Sequence, residues 1–132
     1  MNISHVAAFL GAVALASTLA ACSDGHETKA ADCARVNTVV AKPVTDLRNL
    51  SALYLQAASQ LRAMKPKLKD DKAASLADAW TRAFEAQGKY EIAHPNDLDT
   101  ISPEYAALRD KAARADIAVQ LYCGRPRRSS AL

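Results

Sequence analysis

The sequence has few of the residues on which most enzyme and metal sites depend. It contains three histidines and three cysteines in 132 residues, and no two histidines lie four residues apart, as a helical metal site would need. The CxxC and CxxCH patterns of metal and haem sites are missing, as are the GxSxG and SxxK patterns of nucleophilic serines. The sequence therefore predicts a protein that is not an enzyme and has no metal, cofactor or catalytic residue.

Glycine is also scarce, with four residues, whereas half of the chain is apolar and alanine is prominent. This composition favours helices over a sheet. The formal net charge of +3 is small and its acidic and basic residues are interspersed, which argues against the dense basic face of a nucleic-acid-binding domain. A chain of this length is expected to form one domain with one core.

An apolar, uncharged stretch near the N-terminus is followed directly by Leu19-Ala20-Ala21-Cys22. The stretch is shorter than the roughly 20 residues that span a bilayer, and it fits the core of a signal peptide. The four residues resemble the lipobox of bacterial lipoproteins. The resemblance implies that residues 1–21 are a cleaved signal peptide and that Cys22 receives a lipid anchor with acyl chains such as palmitate. It also implies a cell-envelope location, at the outer membrane or the outer face of the cytoplasmic membrane.

The positive charge that usually opens a signal peptide is weak here, because no Lys or Arg precedes the apolar stretch. A secretory signal with an incidental cysteine, or an uncleaved membrane anchor, is therefore the alternative interpretation.

The mature chain is predicted to be all-α, a small antiparallel bundle of three long helices with a short helical element before them. Residues 22–31 are polar and aperiodic, which predicts a flexible tether. The bundle is expected to occupy residues 32–124, with Asp32 as the cap of the short helix through Ala41. Pro43 ends or kinks that element.

Apolar residues at alternating spacings of three and four predict the three long helices. The first extends from residue 45 to Pro66. The second is expected to stop at Gly88, or one turn later. Capping residues define the other boundaries: Asp70 or Asp71 before the second helix, and Ser102-Pro103 and Gly124 at the two ends of the third.

With Cys22 assigned to lipid, Cys33 and Cys123 form an even pair in an oxidising compartment and are predicted to make a disulfide. In a simple up-down-up bundle they would lie at opposite ends, too far apart for a bond that needs Cα atoms within about 7 Å. The disulfide therefore predicts a reversal at Pro43, or a loose segment that folds back before it. Two reduced, unrelated thiols are the alternative.

The predicted disordered tail, residues 125–132, carries three arginines without neighbouring acids. It is a candidate for contact with anionic lipid headgroups or envelope polymers, at roughly 1 kcal/mol per basic residue. The alternative is a solvated tail without such contacts. The lysine-rich turn over residues 65–72 has the same two interpretations, contact with an anionic surface or solvation. The tail arginines are Arg125, Arg127 and Arg128.

These features together predict a membrane-anchored, non-enzymatic helical module that interacts with an envelope protein and not with nucleic acid. The alternative function is binding of a small apolar ligand or peptide within the bundle. That alternative requires a cavity.

Overall fold

Four α-helices form a bundle, which confirms the predicted fold class. The computed structural model describes residues 10–42, 47–96 and 101–124, with side chains from residue 25 onward except that of Leu47. No strand occurs within these ranges. In chain order the helices are α1 (Leu10–Val40), α2 (Leu50–Met64), α3 (Asp71–Ala93) and α4 (Pro103–Cys123).

The first helix is much longer than the sequence predicts. Asp32, expected to cap a short helix, lies inside α1 instead. Residues 22–31, expected to form a flexible tether, are helical as well. Two features explain why this segment is helical. It contains the helix-forming residues Ala, Glu and Lys. In addition, the Lys29 ammonium lies 4.1 Å from the centre of the Tyr122 ring of α4. Local polarity was thus a poor guide to secondary structure here.

Several predictions fall on parts of the chain that the structure does not describe. The side chain of Cys22 and the start of the predicted signal peptide lie outside the described residues, as do Pro43 and the basic tail at 125–132. The signal peptide, the lipidation of Cys22 and the role of the tail stay predictions.

The second and third helices follow the predicted apolar stripes, with two shifts at their ends. Before α2, residues Leu47–Asn49 form a 3-10 turn, so the helix begins later than expected. Asp70 caps α3 as predicted, because its side chain accepts a hydrogen bond from the Ala73 amide at 2.7 Å. Gly88 does not end α3. A Cβ atom there would lie 3.0 Å from the Ser51 carbonyl oxygen, so this glycine permits close approach of α2 and α3.

The last helix has the predicted boundaries. Ser102 caps its N-terminus by accepting a hydrogen bond from the Tyr105 amide at 3.1 Å, and Pro103 is its first residue. Gly124 follows its last turn with a φ of 64°, a backbone conformation that favours glycine.

Consecutive helices run antiparallel, as the cross-helix pairs demonstrate. Arg35 of α1 donates to the carbonyl oxygen of Lys67 just after α2, whereas Lys42 reaches back to Gln60. Between α2 and α3, Ser51 donates a hydrogen bond to Glu91, and Lys65 donates one to Asp78. Between α3 and α4, Glu91 accepts a hydrogen bond from Tyr105, and Trp80 donates one to Asp116. The chain therefore reverses between α1 and α2, as the predicted disulfide required.

The core is filled where all four helices meet. It contains Val36 of α1, Leu61 of α2, Trp80 of α3 and Val119 of α4, each at most 3% exposed. The Trp80 ring stacks on Phe84 with 4.0 Å between ring centres. These four side chains therefore pack one residue of each helix into the centre of the bundle.

Candidate functional site

The two predicted disulfide partners are brought together at one end of the bundle. Cys33 of α1 and Cys123 of α4 lie at disulfide-bonding distance, with Cα atoms 5.1 Å apart. Within one helical turn of Cys33, Asn37 donates to the Gly124 carbonyl oxygen at 3.0 Å. The C-terminal part of α1 and the C-terminal end of α4 are thus joined by both a sulfur pair and a hydrogen bond.

A buried carboxylate joins the same end of the bundle to the α2–α3 turn. The Asp32 side chain accepts hydrogen bonds from the backbone amides of Lys69 and Asp70, at 2.6 and 2.7 Å. Asp70 in turn accepts from the Tyr122 hydroxyl at 3.0 Å. Burial raises the pKa of Tyr122, and the hydrogen bond to Asp70 raises it further, so Tyr122 stays a neutral donor. Asp32 therefore fixes the turn that precedes α3.

We expect Asp32→Asn to lower the free energy of unfolding by about 1.5–3 kcal/mol, the usual contribution of hydrogen bonds to a charged group. The substitution keeps the shape of the side chain but halves its accepting capacity beside two amide donors. Asp71→Asn, on an exposed neighbour, is the matched control and is expected to change stability by less than about 0.5 kcal/mol. Urea unfolding measures both, and equal effects of the two variants would contradict the role of Asp32.

A second buried carboxylate lies at the opposite end, between α2, α3 and α4. Glu91 is 6% exposed and accepts hydrogen bonds from the Ser51 hydroxyl at 2.5 Å, the Gln87 amide at 2.7 Å and the Tyr105 hydroxyl at 2.7 Å. Each donor comes from a side chain that is already directed at Glu91. The cluster therefore positions three helices.

Glu85 and Glu91 are neighbouring acids of α3 in different environments. Glu85 forms ion pairs with Arg62 and Lys89 on the surface, and these partners lower its pKa. Glu91 continues the buried stripe of Trp80, Phe84 and Gln87 by steps of four, three and four. Extending the apolar stripe through its polar members would have identified Glu91 as buried.

We expect the stability of the protein to fall between about pH 10 and pH 12 because of Tyr105. Burial, followed by the hydrogen bond to Glu91, raises the pKa of Tyr105 from 10.0 to about 12. Above pH 10 the unfolded chain releases this proton while the folded chain retains it, so the stability contributed below pH 10 is lost as pH rises, by up to about 2–3 kcal/mol. The free energy of unfolding, measured with urea across this pH range, should decline less steeply for Tyr105→Phe than for the unsubstituted protein. Parallel curves would contradict this assignment.

A cavity lies where α1 ends. Because Lys42 pairs with Gln60, the N-terminal half of α2 extends beyond the last turn of α1. The result is a half-open groove of about 270 Å³ beside α2, with Trp80 among the residues that line it. We call this cavity the α1-end groove. Its described lining residues are Val39, Val40, Lys42, Leu50, Leu53, Tyr54, Gln56, Ala57, Gln60 and Trp80.

The α1-end groove has an aliphatic part and a polar part, and the polar groups belong to Lys42, Tyr54, Gln56, Gln60 and Trp80. Lys42 is the one charged side chain among the described lining residues, with its Nζ atom 3.5 Å from the Gln60 side-chain oxygen. Burial raises the pKa of Tyr54, and the negative charges of Glu91 and Asp116 raise it further, so its hydroxyl stays neutral. The described lining thus offers apolar contact surface and one ammonium group.

His94, the residue directly after α3, stacks on Tyr90 with ring centres 4.1 Å apart. Over residues 10–42, 47–96 and 101–124, no three metal-ligating side chains come together. In the same part of the chain, no helix combines the length and the hydropathy needed to cross a membrane.

Comparison with known proteins gives no relative: no family model, no curated protein and no solved structure matches the chain.

Proposed function

We propose that this chain is an exported bacterial lipoprotein whose helical bundle acts as a non-enzymatic interaction or accessory module in the cell envelope. In this proposal the signal peptide, residues 1–21, is removed and Cys22 carries the lipid. A protein of the envelope is the proposed partner. The anchor holds the bundle beside that partner, so binding is favoured by proximity.

The meeting of Cys33 and Cys123 at disulfide distance carries this proposal. Structural disulfides persist in oxidising compartments and are rare in the cytosol, so the pair supports export. It also accounts for two of the three cysteines. Cys22 is then the remaining one, and it directly follows the Leu-Ala-Ala sequence that a lipoprotein signal requires.

Two observations support a binding role over catalysis. The buried carboxylates Asp32 and Glu91 accept hydrogen bonds from groups of the bundle itself, as structural acids do. The α1-end groove has apolar walls, as binding sites do.

The charge distribution supports a membrane-facing orientation in which the basic tail contacts anionic headgroups. The tail follows Gly124, which lies beside α1 at Asn37. Exposed Lys67 and Lys69 lie close by, since the backbone at these residues bonds to Arg35 and Asp32. The lysine-rich turn and Gly124, which directly precedes the tail, therefore lie at the end of the bundle from which α1 leads back to Cys22. We propose that these lysines act with the tail residues Arg125, Arg127 and Arg128.

Metabolic labelling with a clickable palmitate analogue in a bacterial host tests the anchoring. We expect label on the unsubstituted protein, none on Cys22→Ser, and full label on the matched variant in which Cys33 and Cys123 are both serine. Mass spectrometry should find Cys22 as the acylated first residue of the mature chain. A mature chain that retains residues 1–21, or that is cut elsewhere without acylation, would overturn the proposal.

A further inference from the structure

We propose that the α1-end groove binds a small amphiphile with a straight alkyl chain and a carboxylate head. The chain would lie against the apolar walls, and the head would lie at Lys42. This inference does not depend on lipidation of Cys22. It goes beyond the proposed envelope role by giving the bundle a ligand of stated chemistry.

The volume of the groove limits the size of the ligand. An apolar cavity of about 150 Å³ holds benzene, with its six carbon atoms. By proportion, the 270 Å³ of the α1-end groove accepts a group of roughly ten non-hydrogen atoms. An eight-carbon carboxylate has that size, whereas the full acyl chain of a membrane phospholipid would extend out of the groove.

The walls favour an alkyl chain over a peptide. Leu50, Leu53 and Ala57 of α2, with Val39 and Val40 of α1, form surfaces without hydrogen-bonding side chains. A peptide segment lying along these aliphatic side chains would bring backbone amides and carbonyls that they cannot satisfy, which disfavours it. An alkyl chain brings no such groups.

The charge of the lining favours an anionic head. Lys42 is exposed, and its ammonium lies against the neutral side chain of Gln60 rather than against a carboxylate. No described lining residue is acidic. The carboxylate is therefore matched by one cation, with Gln56 and Gln60 available as amide donors beside it.

Fluorescence of Trp80, the one tryptophan of the chain, provides the readout, because Trp80 lines the groove. The full-length protein in phosphatidylcholine vesicles is titrated with octanoate, octanol and octylammonium. An exposed ion pair contributes up to about 1 kcal/mol, so we expect octanoate to bind about three- to fivefold more tightly than octanol. Octylammonium is expected to bind most weakly, because Lys42 repels it.

Two pairs of variants separate the head-group contact from the apolar contact. Lys42→Gln should reduce octanoate binding to that of octanol, whereas Lys111→Gln, an exposed lysine of α4, should leave it unchanged. Ala57→Leu fills the groove and should weaken all three ligands at least tenfold, whereas Ala52→Leu, exposed on the same helix, should not. Helical circular dichroism verifies that each variant is folded.

The remaining outcomes overturn the proposal. Equal binding of all three ligands would remove the carboxylate assignment. Absence of any Trp80 response up to the solubility of octanoate would exclude the alkyl ligand. Tighter binding of N-acetyl-leucine than of octanoate would identify a peptide C-terminus as the occupant. None of these results bears on acylation of Cys22, so the two proposals fail separately.

Discussion

Replacing Cys33 and Cys123 together with alanine should lower the free energy of unfolding by about 4–5 kcal/mol. The two cysteines are separated by 90 positions in the chain, and a crosslink that closes a loop of this length restricts the unfolded state strongly. The bundle is small, and domains of this size commonly have only 5–15 kcal/mol in total. The variant should therefore be close to the limit of folding at 37 °C.

Urea unfolding of the oxidised protein, the reduced protein and the double alanine variant measures this effect. The reduced and alanine forms should have similar midpoints, both well below that of the oxidised form. Cys22→Ser is the matched control and should leave the midpoint unchanged. Two titratable thiols at positions 33 and 123 in protein taken from the cell envelope would contradict the crosslink.

Replacing Glu91 with alanine should cost about 3–5 kcal/mol, whereas the same change at Glu85 should have a much smaller effect. The difference arises from the surroundings of the two acids. Removing Glu91 leaves the donors of Ser51, Gln87 and Tyr105 buried without an acceptor, and each orphaned donor is costly. Glu85 forms its ion pairs at the surface, where water replaces a lost partner.

The Glu91→Gln variant refines this test. Glutamine keeps one acceptor oxygen and adds an amide group that competes with the Gln87 donor. We therefore expect a loss of stability between those of Glu85→Ala and Glu91→Ala. Thermal unfolding followed by circular dichroism ranks the three variants. If Glu85→Ala and Glu91→Ala have equal midpoints, the buried cluster does not stabilise the fold.

The helices that sequence reasoning located best are those with local boundary signals. Ser102, Pro103 and Gly124 mark the ends of α4 because capping depends on residues within one turn. The reversal after α1 was predicted because a disulfide between Cys33 and Cys123 leaves few topologies. Both inferences needed only local geometry or one distance constraint.

The features that sequence reasoning missed depend on partners far along the chain. Asp32 looked like a helix cap, yet its hydrogen bonds go to amides 37 and 38 positions away, and the helix continues through it. Gly88 looked like a helix stop, yet it serves the contact with Ser51. The α1-end groove results from the point at which α1 stops along α2, and no local pattern encodes that relation.

The attachment of α1 also has a mechanical consequence. A pull on the N-terminal end of this helix, such as a membrane anchor would exert, enters the bundle near Lys29, Asp32 and Cys33. At this point two connections carry the force: the sulfur pair transmits it to α4, and the Asp32 carboxylate transmits it to the turn before α3. The force would therefore act as shear across several helices in parallel, and would not peel α1 away one turn at a time.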